Sequence, residues 1–192
     1  MPKIIYLTGA PAAGKSSTTR MLLQRVPELL VWEYGARLTD HVRSGDAGVA
    51  DQDDLRSRSA ALVTPEHIAE IDMALLAFVR ENRENRHVLI DSHPVTKEAY
   101  GYRITPFSLE QFAVLAPDEI WVFYADPGET RDRIRREPGG RPLVSEEEAR
   151  MHTMLQASVA ATYGMSVRCP VYMFDTTGER EPLVERLVGR LA

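Results

Sequence analysis

The sequence has one cysteine, Cys169, among its 192 residues, which excludes an intramolecular disulfide and a metal site built from several thiolates. We interpret Cys169 as a small buried thiol, and a lone thiol fits a reducing compartment. Long apolar runs are missing as well. The opening MPKIIYLTGAP is too short for the apolar region of a signal peptide and far below the roughly 20 residues of a membrane span. The sequence therefore predicts a cytoplasmic protein with no membrane partner.

An excess of positive charge is also lacking, since the formal net charge is −5. Nucleic-acid-binding proteins need a basic face, so we expect no nucleic-acid partner. Repeats, low-complexity tracts and Pro/Gly-rich linkers are missing too, and a chain of this length fits one domain. The sequence therefore predicts a single domain over residues 1–192.

Short apolar runs alternate with helical stretches along this domain. Five runs are predicted strands: Ile4–Thr8, Leu29–Glu33, His87–Asp91, Glu119–Ala125 and Val171–Phe174. The predicted helices are Lys15 to Arg25, Pro65 to about Glu84, Pro127 to about Arg136, a helix capped by Ser145 that ends at Tyr163 before Gly164, and Pro182 to Leu191. Continuous apolar strands separated by helices are typical of an α/β fold with a parallel sheet covered on both faces. Ligands of such sheets bind at the carboxyl ends of the strands.

The clearest motif follows the first predicted strand and opens the first helix. The run GAPAAGKS fits G-x-x-x-x-G-K-[ST] at every position, which is typical of a P-loop that holds the phosphates of a nucleotide. The glycines let backbone amides point at phosphate oxygens, the lysine reaches the β- and γ-phosphates, and the serine hydroxyl is suited to Mg²⁺. The predicted ATP site consists of Gly9, Ala10, Pro11, Ala12, Ala13, Gly14, Lys15, Ser16 and Ser17.

A second set of polar residues follows the second and third strands. Asp91 ends the third strand, where a carboxylate is suited to hold Mg²⁺ together with Ser16 or to orient an acceptor, although an Asp that caps a turn is the alternative. Residues 34–84 are interpreted as an acceptor-binding flap with helices. Residues 34–59 would form the mobile flap, and a solvated pair of surface helices is the alternative for them. The candidate acceptor-binding residues are Tyr34, Gly35, Arg37, Arg56, His93, Lys97 and Tyr102.

Arginines are concentrated before and within the segment Pro138-Gly-Gly-Arg141. A guanidinium group on a flexible Gly-Gly turn suits a short lid over a phosphoryl group, because planar arginines bind phosphate well. We predict a lid over residues 137–145. We expect Arg133 and Arg141 to act on the transferring group, with Lys15 and Asp91 as the other catalytic residues, and we expect most of Arg131, Arg135 and Arg136 to be solvated.

With these motifs in view, the chain resembles archaeal-type adenylate kinases, a branch of the P-loop nucleoside monophosphate kinases. The resemblance rests on short motifs in matching order: KIIYLTGAPAAGKSS, Glu33-Tyr-Gly35, Asp51-x-Asp-x-x-Arg56, Asp91-Ser-His93 with Lys97 and Gly101-Tyr102, and His152 with Ala161–Gly164. It implies a three-layer Rossmann-like core with five parallel strands in the order 2-3-1-4-5, an acceptor segment and a short lid. It also implies ATP and Mg²⁺, AMP as acceptor, and leaves assembly into a homo-oligomer open.

Three segments depart from that family pattern. Its G-Y-L-P-G-L-P run is Gly101–Phe107 here, its lid motif R-x-R-D is reduced to Gly140–Leu143, and its N-R-A-A-A run is Gln156–Ala160. The P-loop, which would bind the phosphate donor, matches the family pattern, whereas the segments near the expected acceptor site are altered. Transfer of phosphate to a nucleoside monophosphate is therefore the leading hypothesis. The alternatives are a P-loop kinase of another small hydroxylated molecule, such as a nucleoside or natural product, and a non-catalytic NTP-binding protein.

Overall fold

The computed structural model describes residues 1–45, 48–139 and 141–192, and the side chains of these residues except at 56, 57 and 59–61. The strands are β1 (Ile4–Gly9), β2 (Leu29–Glu33), β3 (His87–Asp91), β4 (Val95–Glu98), β5 (Gly101–Ile104), β6 (Glu119–Tyr124) and β7 (Val171–Asp175). The helices are α1 (Lys15–Arg25), α2 (Tyr34–Ser44), α3 (Gln52–Leu62), α4 (Pro65–Asn82), α5 (Leu109–Leu115), α6 (Pro127–Arg136), α7 (Glu146–Val167) and α8 (Glu181–Leu191).

Five of these strands form one parallel sheet in the order β2-β3-β1-β6-β7. The predicted fold class, an α/β P-loop fold with five parallel strands, is confirmed. The strand order differs in its numbers from the predicted 2-3-1-4-5. The antiparallel hairpin β4-β5 lies outside the sheet, so the fourth and fifth strands of the sheet are numbered β6 and β7. Counted among themselves, the sheet strands follow the expected pattern, with β1 in the centre.

Two apolar clusters cover the faces of the sheet. On one face, Tyr6 of β1 packs with Phe112 of α5 and Tyr163 of α7. On the other face, Leu7 belongs to a cluster with Leu22 of α1 and residues of α8. Since neighbouring residues of β1 point to opposite faces, every residue of this strand is buried. The central position of β1 therefore holds the loop that follows it on a rigid support.

The helix starts follow local capping signals. The hydroxyl oxygens of Thr64 and Ser145 accept hydrogen bonds from the third backbone N–H of α4 and α7. The oxygen Oδ1 of Asp126 accepts hydrogen bonds from the first turn of α6. These three predicted starts are confirmed.

The predicted end of α7 before Gly164 is wrong, because the helix continues to Val167. A Cβ atom at Gly164 would lie 2.4 Å from Cγ2 of Val171 and 2.8 Å from the carbonyl oxygen of Cys169. The glycine is therefore needed where the helix passes close to β7, and it does not terminate the helix. Cys169 is buried, as expected, and burial raises the pKa of its thiol to about 11.

Four elements between the second strand and β6 were not predicted individually: α2, α3, the β4-β5 hairpin and α5. The helices α2 and α3 lie within the segment 34–84, and a small cluster of Val42, Val49 and Leu55 joins them. None of the helices in the described part of the chain has the length and apolarity needed to cross a membrane.

Candidate active site

The P-loop connects β1 to α1 and depends on two glycines. A Cβ atom at Gly9, whose φ is +150°, would lie 2.3 Å from the carbonyl oxygen of Phe123 on β6. Gly14 caps α1 with φ +78°, a left-handed conformation that disfavours side chains. These backbone requirements explain why the motif has glycine at both ends, as the sequence predicts.

The ammonium group of Lys15 is folded back over its own loop. It donates hydrogen bonds to the carbonyl oxygens of Gly9 at 2.6 Å and Ala10 at 3.1 Å. The Ser17 hydroxyl donates to the carbonyl oxygen of Gly14 at 3.1 Å, which supports the first turn of α1. Lys15 therefore places a positive charge at the mouth of the loop, next to the first backbone amides of a helix that favour anions.

A cavity of about 1020 Å³ lies over the P-loop. Its lining includes residues 10–17, Asp91 at the end of β3, and side chains of the predicted lid. The hydroxyl of Ser16 and the carboxylate of Asp91 line the same cavity and offer oxygen ligands, which Mg²⁺ prefers. The described residues include no cluster of three or more His, Cys, Asp or Glu side chains suited to a metal. The residues present thus fit an Mg²⁺ ion held mainly by phosphate and water.

Arg133 is mostly buried and holds the loops around this cavity together. Its guanidinium donates to the carbonyl oxygens of Ala12 at 3.1 Å and Thr176 at 2.8 Å, and it forms an ion pair with Glu129 at 2.8 Å. The Thr176 hydroxyl in turn donates to the carbonyl oxygen of Ala13 at 2.9 Å. The P-loop and the β7-α8 turn are therefore joined by side chains from both sides.

The other arginines of this region differ in whether they line the cavity. Arg131 pairs with Glu146 at 3.0 Å, and Arg135 is exposed and pairs with Asp132. Arg136 is largely exposed, although it contributes to the cavity rim. Arg141, in the predicted lid, lines the cavity.

Arg180, which belongs to none of the sequence motifs, also lines the cavity over the P-loop. Its guanidinium lies 3.4 Å from the position that a Cβ atom on Gly14 would take. Burial and the positive charge of Arg133 lower the pKa of Arg180. The signal that could have found it is positional: Arg180 lies in the segment that follows the carboxyl end of β7, where ligands of parallel sheets bind.

A second cavity, of about 480 Å³, adjoins the first and is lined mostly by apolar side chains. Its walls come from α2, α3, the start of α4 and the segment Pro94–Phe107. Four residues line both cavities: Gly35, Gln52, His93 and Thr96. The shared lining makes the two cavities neighbouring parts of one cleft.

The predicted acceptor residues are distributed unevenly around this cleft. Tyr34 lines the second cavity, Gly35 and His93 line both, and Lys97 lines the first and pairs with Glu148 at 3.3 Å. Two others line neither cavity. The guanidinium of Arg37 packs over the Trp32 ring, and the Tyr102 hydroxyl donates to the carbonyl oxygen of Glu148. The side chain of Arg56 lies outside the described residues.

His152 is a buried histidine on the cavity wall. Its Nε2 donates to the carbonyl oxygen of Val95 at 3.0 Å, and the side-chain amide of Gln156 donates to the same oxygen. Burial, with smaller contributions from the charges of Lys15 and Lys97, lowers the pKa of His152 to about 4. The ring is therefore neutral at physiological pH and supports β4 as a hydrogen-bond donor.

A P-loop on the central strand of a five-stranded parallel sheet, opening into a two-part cleft, defines this chain as a P-loop kinase. The chain belongs to the family described as AAA domain (AAA_17), whose family model matches residues 8–150.

Comparison with known proteins confirms the resemblance to archaeal adenylate kinases. The adenylate kinase of Thermococcus onnurineus is 27% identical over 193 residues, which span 98% of this chain and 94% of that protein. The adenylate kinase of Pyrococcus horikoshii is 27% identical over 192 residues, with the same coverage of 98% and 94%. A solved shikimate kinase from Acinetobacter baumannii in complex with shikimate has a TM-score of 0.57 at 12% identity, over 99% of this chain and 93% of that one. The last likeness concerns the fold alone.

Proposed function

We propose that this protein is an ATP-dependent phosphotransferase that moves the γ-phosphoryl group to a nucleoside monophosphate, with AMP as the leading candidate. The observation that carries the proposal is the two-part cleft, in which a cavity over the P-loop adjoins a smaller apolar cavity through Gly35, Gln52, His93 and Thr96. This arrangement suits a polyphosphate donor in the first part and a ring in the second. The similarity to archaeal adenylate kinases over 98% of the chain supports the same function.

The donor side needs little covalent chemistry, because phosphoryl transfer is catalysed mainly by positioning and charge. Bound ATP would supply the phosphoryl group, and Mg²⁺ would neutralise its oxygens. The backbone amides of residues 10–16 and the ammonium group of Lys15 bind the phosphates. Ser16 and Asp91 would hold the metal.

The acceptor side is formed by residues 34–84, and the lid over residues 137–145 covers the transferring phosphoryl group, in the roles proposed for both segments from the sequence. Arg141 lines the donor cavity, and Arg133 contacts the P-loop at its edge. We propose that both stabilise the charge that develops on the transferred group. Tyr34, His93 and Lys97 then contact the acceptor directly, whereas Arg37 and Tyr102 act through Trp32 and Glu148.

A second candidate function is favoured by Arg103. This residue lies in the segment that departs from the family pattern, and its side chain lines the second cavity near its ion pair with Glu98. A guanidinium there suits an acidic acceptor, which includes small hydroxylated carboxylic acids as well as nucleotides. A kinase of such a small molecule therefore remains the alternative.

The deciding experiment measures ADP formation from Mg·ATP with a panel of acceptors: four nucleoside monophosphates, the matching nucleosides, sugars and hydroxylated carboxylic acids. The proposal expects the highest kcat/KM with a nucleoside monophosphate. Turnover of a sugar or a carboxylic acid alone would establish the second candidate. Binding of ATP without transfer to any acceptor would indicate a non-catalytic NTP-binding protein.

A further inference from the structure

The second cavity contains one buried carboxylate, Asp72, on α4. The residue is only 4% exposed, although acidic side chains are seldom this deeply buried without a positively charged partner. Among the residues whose side chains the structure describes, its hydrogen bond comes from the Tyr34 hydroxyl, which donates to Oδ1 at 2.7 Å. Asp72 therefore presents an anionic acceptor to the cavity, and no cationic side chain among the described residues forms an ion pair with it.

The walls around this carboxylate suit a flat ring. Phe107 and Tyr34 meet edge to face, with ring centroids 5.8 Å apart. Aliphatic side chains and prolines form a further part of the lining, beside polar residues that include Gln52, His93 and Arg103. The aliphatic and proline residues are Leu38, Leu55, Val63, Pro65, Ile68, Pro94 and Pro106. Aromatic and proline surfaces of this kind bury the faces of a planar ligand and leave recognition to the few polar groups at its edge.

The Tyr34 hydroxyl and the Asp72 carboxylate form a polar pair in this cavity that can accept hydrogen bonds from a ligand. The Tyr34 hydroxyl already donates its hydrogen to Asp72, so its oxygen can only accept further bonds. An ionised carboxylate accepts and cannot donate. A flat ring that fills this cavity therefore finds a partner for an amino or ring N–H group, whereas a ring with only C–H groups at that edge would leave the carboxylate unpaired.

We propose that Asp72 is a specificity-determining residue that binds an amino or ring N–H group of a nitrogen heterocycle in the acceptor. The inference rests on the proposed function, since it assigns the base of the nucleoside monophosphate to the second cavity. The inference restricts the acceptor to nucleotides whose base carries an N–H donor on the edge that enters the second cavity. A buried acid that costs stability is also typical of residues kept for binding.

The test compares AMP with purine riboside 5′-monophosphate, which differs from AMP only by lacking the 6-amino group. For the wild-type protein we expect kcat/KM to be roughly 10- to 100-fold higher with AMP, the range of a hydrogen bond to a charged group. Asp72→Leu should remove this preference. Asp72→Asn, which preserves size and the bond to Tyr34, should lower it by several-fold, because hydrogen bonds to ionised groups are about twice as strong as neutral ones.

Two control variants separate direct binding from an indirect role. Tyr34→Phe removes the hydroxyl and keeps the carboxylate, so the preference for AMP should persist if Asp72 contacts the ligand itself. Equal loss in Tyr34→Phe and Asp72→Asn would mean that Asp72 only orients Tyr34, and the inference would be wrong. Glu70→Gln removes an acid from the same helix that lines neither cavity and should leave the preference unchanged.

The outcomes also distinguish the inference from the proposed function. If AMP and purine riboside 5′-monophosphate react equally well in the wild-type protein, the inference fails and the nucleotide kinase function stands. If calorimetry detects binding of no nucleoside monophosphate in the panel and none is phosphorylated, both fail together.

Discussion

At the scale of single residues, the donor site depends most on the ammonium group of Lys15. Its present partners are the carbonyl oxygens of Gly9 and Ala10, so the charge is already held at the mouth of the P-loop. We expect Lys15→Ala to lower kcat at least 100-fold, since removal of one preorganised stabilising group in an active site costs that order of rate. The measurement is ADP formation at saturating Mg·ATP.

Lys15→Arg is the matched variant for this prediction. It preserves the charge but not the compact ammonium geometry, so it should recover little of the lost rate. Both variants should melt close to the wild-type temperature because Lys15 lines an open cavity. Near-full activity of Lys15→Ala would contradict the proposed mechanism.

The second prediction concerns Asp72 and the dependence of the free energy of unfolding on pH. Burial raises the pKa of its carboxyl group to about 6, while the hydrogen bond from Tyr34 opposes the shift. The folded protein therefore holds a proton between pH 4 and 6 that the unfolded chain has released, and the free energy of unfolding falls as the pH rises through this window. Above pH 6 the ionised, buried carboxylate costs up to about 3 kcal/mol at ~1.4 kcal/mol per pKa unit.

Asp72→Asn removes this titration and is the test. The variant should match the wild-type protein near pH 4 and become progressively more stable than it up to pH 7, in urea unfolding followed by circular dichroism. Other groups titrate in both proteins and cancel in the difference. A stability difference that stays constant from pH 4 to 7 would mean that the carboxyl group has an ordinary pKa.

A site residue can be predicted from the sequence when it belongs to a local motif, and cannot when its role depends on tertiary packing. The P-loop residues form a contiguous motif whose strand-loop-helix context is local, so the sequence predicts them as a group, and residues 10–17 line one cavity. Arg180 and Asp72 are single polar residues whose importance arises only from packing, since α8 brings one next to Gly14 and α4 buries the other beside Tyr34. The spacing of residues in the sequence does not predict these contacts.

At the scale of secondary-structure elements, α7 passes close to β7 at Gly164. Ala at position 164 would place its Cβ atom against the side chain of Val171 and the backbone oxygen of Cys169, and a backbone atom cannot move cheaply. We expect Gly164→Ala to destabilise the protein by roughly 1–3 kcal/mol through overpacking, despite the better helix propensity of alanine.

Gly189→Ala is the matched control, because Gly189 is also helical and a Cβ atom there would meet nothing within 4 Å. This variant should be neutral or more stable by up to about 1 kcal/mol. Denaturant midpoints should therefore move in opposite directions for the two variants. A shift of the same sign at both positions would mean that the spacing between α7 and β7 is not what requires Gly164.

The elements that the sequence predicts are those with strong local signals. The capped starts of α4, α6 and α7 are set by Thr64, Asp126 and Ser145, whose hydrogen bonds reach only two or three residues ahead. The hairpin β4-β5 has no such signal. Its strands have four residues each, and Ala99-Tyr100 connects them in place of the Asn-Gly or Asp-Gly that marks a tight hairpin.

At the scale of the whole molecule, the sheet is predictable because each of its strands is an apolar run that can be recognised alone, and parallel order follows from the helices between them. The cleft is not predictable in the same way. Its acceptor half combines α2, α3, α4 and the segment around Pro94–Phe107, which come together only in the folded chain. The sequence thus predicts the position of the P-loop cavity, whereas the walls of the second cavity are known only from the structure.

The two-part cleft makes a final prediction about ligand-dependent stability. A bisubstrate ligand that joins two adenosines through five phosphates should occupy both cavities and raise the melting temperature more than Mg·ATP at equal concentration, because the second half binds at high effective concentration. Lys15→Ala should reduce both shifts, whereas Asp72→Leu should reduce only the additional shift of the bisubstrate ligand. If the wild-type protein is stabilised equally by both ligands, the second cavity does not accept a nucleotide, and a smaller hydroxylated acceptor becomes the better assignment.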